Sequence, residues 1–174
     1  IGGGENEASA IWLTQGAEPV KVSTIAVDKA IQDMGIRSIS TAFSWSYTEK
    51  GAHFVGFTFP TTTLVYDLIS KRWHERKSRL EDATGSFSLT KWRVNSVIRA
   101  YGSTMVGDSQ DGRIGILTKG SQEYNQIMVR LFAIQPIQNN MESFLLPSVE
   151  LTDISGVGNS SSPEPLMCME ISKD

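Results

Sequence analysis

Apolar and polar residues alternate in short runs along most of the chain, with Gly, Asp, Ser and Pro punctuating the gaps. Period-two alternation puts one face of a strand in a core and the other in water. The enrichment in Val, Ile, Phe, Trp, Tyr and Thr suits a pleated backbone. The pattern predicts strands over residues 10–14, 20–23, 42–47, 53–59, 63–67, 72–76, 96–101, 104–108, 112–118 and 127–133, an all-β chain of many short antiparallel strands. One segment departs from it. Val27, Ala30, Ile31 and Met34 recur at helical spacing after Ser23 and Thr24, either of which can cap a helix, and Gly35 is placed to end it. A short helix over Ile25 to Met34 is therefore expected, its apolar stripe covering a sheet edge or bottom.

A weak internal repeat organises these strands. Leu64-Val65-Tyr66-Asp67 followed by Trp73 parallels Met105-Val106-Gly107-Asp108 followed by Ile114, with the Asp six positions before the large apolar residue in both. An Asp ending a strand accepts hydrogen bonds from the amides of the following turn, and the Trp or Ile packs beneath the return strand. The two corners lie 41 residues apart, within the range of a four-stranded propeller blade. The predicted architecture is β-propeller-like blades with one short helix over 1–134, a polar linker over 135–148, and the start of a second β unit over 149–174. In that last segment Ser155 to Pro165 reads as a loop, with strands before it around Ser148 to Thr152 and after it from Leu166.

A chain of 174 residues with 40% hydrophobic content can bury a core. It opens on Ile1 with no initiator Met and reads as a fragment of a longer polypeptide; no apolar run approaches the ~18 residues of a membrane span. A net charge of −3 lacks the basic excess of a protein that displaces counterions from nucleic acid, so sequence-specific nucleic-acid binding is not expected. Seven basic residues do cluster: Lys71, Arg72, Arg76, Lys77, Arg79, Lys91 and Arg93. They are expected to form a solvated face, or else a contact patch for an acidic partner or passing DNA.

No catalytic set is visible. Nucleophile-elbow, zinc-protease, phosphate-loop and dinucleotide motifs are all missing from the sequence, so no catalytic, cofactor-binding or metal-ligating residue is assigned. His53 and His74 lack companions at metal spacing, and the lone Cys168 reads as a packed hydrophobe rather than a nucleophile. Asp108, Asp111 and Gly112 read as a turn, not a calcium loop, and Trp12, Trp45, Trp73 and Trp92 as core residues rather than a stacking platform.

His53-Phe54-Val55-Gly56-Phe57-Thr58-Phe59-Pro60, then Val65-Tyr66-Asp67-Leu68 and Trp73-His74-Glu75-Arg76, resembles a segment of the packaged-DNA stabilisation proteins of short-tailed bacteriophages. The resemblance continues upstream through Ile11-Trp12-Leu13 and Val22 to Asp28, and downstream through Val106-Gly107-Asp108, Arg113 to Leu117, Gly156-Val157-Gly158 and Ser172-Lys173-Asp174. Ala52 and Gly56 stand where bulkier or different residues are expected of the family. The resemblance implies a non-enzymatic virion protein, made in the bacterial cytoplasm. It implies a tail hub, in which copies form a ring beneath the portal or its adaptor, close the DNA exit channel and anchor the tail needle and tailspikes. The residues alone leave two other readings open: a carbohydrate-active, sialidase-like or other glycosidase propeller, and a Kelch-like interaction module.

Overall fold

The computed structural model describes residues 1–3, 9–134, 137, 144–150 and 168–170. The chain divides into two units, Ile1–Leu131 and Phe132–Asp174. In the first unit the order is β1 (Trp12–Gln15), β2 (Glu18–Lys21), α1 (Ile25–Ser40), β3 (Phe43–Glu49), β4 (Ala52–Thr58), β5 (Thr63–Asp67), β6 (Arg72–Glu81) and β7 (Phe87–Lys91). There follow β8 (Val94–Ala100), β9 (Ser103–Asp108), β10 (Ile114–Ile116), β11 (Gln122–Glu123) and β12 (Gln126–Ile127). All neighbouring strands pair antiparallel, giving an all-β, propeller-like arrangement with one helical segment.

Strands β3 to β7 form one meander, and β8 to β10 a second sheet of three strands. The β3–β4 and β8–β9 hairpins are closed by two-residue turns, Lys50-Gly51 and Tyr101-Gly102, in which all four residues have positive φ. That backbone matches the right-handed twist of the flanking strands. Strand β6 is longer than its alternation predicts. Its first half, from Arg72, pairs with β5 and its second half, to Glu81, with β7, a strand the sequence pattern missed.

The helix begins where expected. Thr24 is the cap, its hydroxyl accepting from Val27 N at 3.4 Å, and Gly35 leaves helical geometry with φ 75°. A last turn resumes to Ser40, so the predicted stop is a kink.

The first sheet is buried on both faces. On one side Val27 and Ile31 of α1 meet Ile11, Phe59, Phe57, Leu64 and Trp73. On the other, Trp45, Val65, Phe43, Tyr47 and Phe54 meet Val94, Val97 and Val106 of the second sheet and Trp92 and Leu117 at its strand ends. α1 thus covers a sheet face, not an edge.

Four expectations fail. The Asp67 corner joins the third and fourth strands of its sheet, whereas the Asp108 corner joins the second and third, so the 41-residue spacing relates hairpins that are not equivalent. Ile114 is 73% exposed instead of packed, because its side chain lies on the outer face of an edge strand. Residues 128–133 form no strand; the pairing stops at β12, and Leu131 and Phe132 are exposed without a neighbouring edge. In the second unit no strand occurs among the described residues, and Cys168 is exposed rather than packed. The strands predicted around 148–152 and from Leu166, and the loop of 155–165, lie wholly or largely outside the described residues.

Candidate functional site

The junction between the two sheets holds the polar groups that the hydrophobic pattern does not explain. Thr63, fully buried at the start of β5, accepts a hydrogen bond from Trp92 N at 3.2 Å and donates to Thr58 Oγ1 at 3.5 Å. Thr58 in turn accepts from Trp45 Nε1 at 3.1 Å. Two threonine hydroxyls therefore satisfy the Trp45 indole N–H and the Trp92 backbone N–H, while the Trp92 indole donates to Glu123 Oε1 at 3.0 Å; the two rings pack at 5.0 Å. Beside them Arg76 projects from β6 with its guanidinium carbon 4.9 Å from the Trp92 ring, 5.1 Å from Phe54, 5.4 Å from Tyr47 and 5.6 Å from Trp45. A weakly hydrated planar cation suits such a cage. Its Nε donates to His74 Nε2 at 3.3 Å, and His74 is held down at about 4, first by burial and then by the Arg76 charge. Burial also pushes the Tyr47 phenol up, against the pull of Arg76.

A second cluster locks the far end of the second sheet. Arg93, 5% exposed, donates to Asp108 at 2.5 Å, and its guanidinium lies 4.6 Å from the Tyr124 ring. Arg113 stacks on Tyr124 at 4.1 Å and pairs with Asp111 at 2.5 Å. Asp111 is lowered to about 2, chiefly by its hydrogen bond with Arg113. Asp108 also accepts from Gln110 N at 2.8 Å, which holds the turn. The two carboxylates are committed to arginines and turn amides, so this is a structural lock between strand ends.

The expected basic face is broken up by these contacts. Arg76 and Arg93 turn inward and Arg79 lies 4.1 Å over Phe87, leaving Lys71, Arg72 and Lys77 exposed. Their long stems can lie along apolar surface, and the alternation of β6 sets which of them point into the sheet junction. Charge clustering along the chain cannot distinguish the two orientations. Of the tryptophans, Trp45 and Trp92 are buried, Trp73 is half-buried and donates to Val22 O at 2.8 Å, and Trp12 is 42% exposed, contrary to the core role expected of it. Asp67 behaves as read, accepting from Ile69 N at 3.0 Å and Ser70 Oγ at 2.6 Å. His53 pairs within β4 and its amide meets Asp67 at 3.4 Å. Among the described residues no group of three His, Cys, Asp or Glu side chains converges as a metal site would require.

Gly56, the apparent departure from the family pattern, is explained by the junction. A Cβ there would lie 2.0 Å from Trp45 Cζ2, so only glycine admits the indole ring across the strand pair.

The remaining exposed surface is mixed. An open groove of about 540 Å³ runs between α1 and β6, with Ala26, Val27, Ala30, Leu64 and Trp73 on its apolar side and Lys71, Arg72, His74 and Glu75 beside them. Ile98, Ile114 and Ile116 stand on the outer face of the second sheet, and β10 leaves one edge unpaired among the described residues. These are features of a surface that other protein packs against.

A family model described as Bacteriophage P22 Gp10, beta-propeller, matches residues 1–122, which span both sheets. No curated protein matches the chain.

Proposed function

We propose, from the premise that this chain belongs to the bacteriophage P22 Gp10 beta-propeller family, that it acts as a tail hub closing the portal channel after DNA packaging. The family is one of phage structural proteins that complete the head, and this chain is such a protein. In the finer reading, copies assemble in a ring beneath the portal or its adaptor, and the tail needle and tailspikes attach to that ring. The action is mechanical closure and not catalysis. Family membership carries the reading, and the surface agrees with it: the aspartates of the second sheet are held by arginines, while exposed positions such as Ile98, Ile114 and Tyr101 are apolar or aromatic. An acidic chain with net charge −3 suits contact with proteins better than a grip on DNA.

The test is reconstitution. Full-length protein is mixed with purified portal–adaptor complexes and with DNA-filled heads that lack the tail. Binding as a ring in electron micrographs, with retention of DNA in the heads, is the expected outcome. A protein that stays monomeric, ignores the portal complex and leaves the heads leaking would overturn the proposal. So would turnover of a glycoside substrate by the purified chain.

A further inference from the structure

Strand β6 is paired along only part of its length. β5 covers one edge of it at Arg72–Arg76 and β7 joins it from Lys77 onward, so among the described residues no strand lies against the second edge of Arg72–Arg76. The direction of the backbone groups there follows from the ladder. Phe59 N donates to Thr62 O and Leu68 N to His53 O, which turns the even-numbered residues of β5 toward β4 and leaves Thr63, Val65 and Asp67 to bond β6. Their registered partners Arg76, His74 and Arg72 therefore face β5. The amides and carbonyls of Trp73 and Glu75 point outward, as alternation in an antiparallel pair requires.

The open groove beside α1 runs along this edge. Five successive residues, Lys71 to Glu75, line it, which a strand does with its edge and not with a face, and Ala26, Val27 and Ala30 form the wall across from them. The two faces that flank the edge differ in chemistry. On the α1 side Trp73 packs with Val27, Ile31 and Phe59, and Glu75 is engaged by Thr62 and Lys77. On the other side alternation places Arg72, His74 and Arg76, with His74 edge-on to Phe54 at 5.8 Å and Arg76 over the rings of Tyr47 and Phe54. Among the described residues none of Lys71, Arg72 and Arg76 has an ion-pair partner. Three unpaired cations thus stand beside a row of unpaired backbone groups.

We propose that this edge takes an added strand, an extended segment of a partner protein in which apolar residues alternate with acidic ones. The segment's backbone completes the ladder at Trp73 and Glu75. Its apolar side chains enter the groove against Ala26, Ala30 and Trp73, and its carboxylates meet Arg72 and Arg76 in charge-assisted hydrogen bonds. The two-residue period of a strand allots the two sets of side chains to the two faces. The proposal does not rest on the tail-hub reading.

Peptide binding to the 174-residue chain tests it. The probe is a fluorescein-labelled nine-residue peptide of alternating Glu and Val; the controls are the same residues sorted into two blocks and a peptide of alternating Lys and Val. Anisotropy is expected to saturate below about 1 mM for the alternating acidic peptide alone. Hydrogen exchange at the Trp73 and Glu75 amides is expected to be fast in the free chain and to slow roughly tenfold or more at saturation. Glu75→Pro removes one outward donor and leaves the β5 ladder whole, and Arg72→Glu reverses an exposed charge. Each is expected to weaken binding roughly tenfold in a chain of unchanged circular dichroism. Failure of the alternating acidic peptide to bind overturns the proposal and leaves the basic residues as guards of an exposed edge. Equal binding of either control peptide, or binding indifferent to both substitutions, also overturns it. So does protection of the two amides in the free chain: constant protection means that the chain covers its own edge, and protection that grows with concentration means that a second copy does.

Discussion

Gly56→Ala is the sharpest perturbation of the sheet junction. The new methyl would sit 2.0, 2.3 and 2.4 Å from three carbons of the Trp45 ring, where carbon atoms rest at about 3.5–4.0 Å. The ring must retreat by roughly 1.5 Å to restore contact. It has little room to do so, because it is 6% exposed, hydrogen-bonded to Thr58 at 3.1 Å and packed on Trp92 at 5.0 Å. Overpacking a filled core costs about 1–3 kcal/mol, and a rigid ring places this case at about 3 kcal/mol. For a chain of this size that lowers Tm by roughly 6–12 °C. Gly107→Ala, registered against Ser96 in the second sheet, meets at close range only the hydroxyl of Ser96 and the amide of Asn95. Both are exposed and can rotate away, so its cost should stay below about 1 kcal/mol. Urea titration followed by tryptophan emission measures both. A Gly56→Ala protein within about 0.5 kcal/mol of the parent, or one no less stable than Gly107→Ala, would refute the role given to the indole. Trp45→Ser imports the second sheet's pair; combined with Gly56→Ala it should cost less than the sum of the two single changes.

Replacing Asp108 by Ala leaves buried Arg93 with only the half-exposed Asp111, 3.4 Å away, and should destabilise by about 3 kcal/mol in the same titration. Stability should also fall as pH drops from 6.5 toward about 4, because unfolded His74 takes up a proton near 6.5 while the folded side chain resists until about 4. His74→Gln should flatten that limb, and an unchanged pH profile counts against the partial desolvation and Arg76 repulsion assigned to His74. Asp111 has the ordinary sign for a depressed carboxyl: its contribution is present above the usual carboxylate range and is lost as pH falls toward about 2, so Asp111→Asn should reduce the acid dependence there. Thr24→Ala removes the helix cap and should cost about 1 kcal/mol, read as a loss of helical circular dichroism on mild heating.

Period-two alternation was sufficient to find most of the strands, since a strand with one buried face writes its register into the sequence. β5 was found at its observed bounds, Thr63–Asp67, and the helix start was legible because Thr24 satisfies an amide through a bond three residues long. Asp67 was legible for the same reason, its partners Ile69 and Ser70 lying within the turn. What local pattern could not carry was any choice made between sheets. Arg76 and Arg93 look like their solvated neighbours until β6 and β8 bring four aromatic rings to one and Asp108 to the other. Gly56 looked like a departure until Trp45 was placed opposite it. The two Asp corners share turn chemistry 41 residues apart, yet one joins the third and fourth strands of its sheet and the other the second and third, which only the strand pairing decides. Short-range hydrogen bonds and side-chain alternation are properties of the sequence, whereas the burial of a charge and the need for a missing Cβ are properties of the surfaces that the fold brings together.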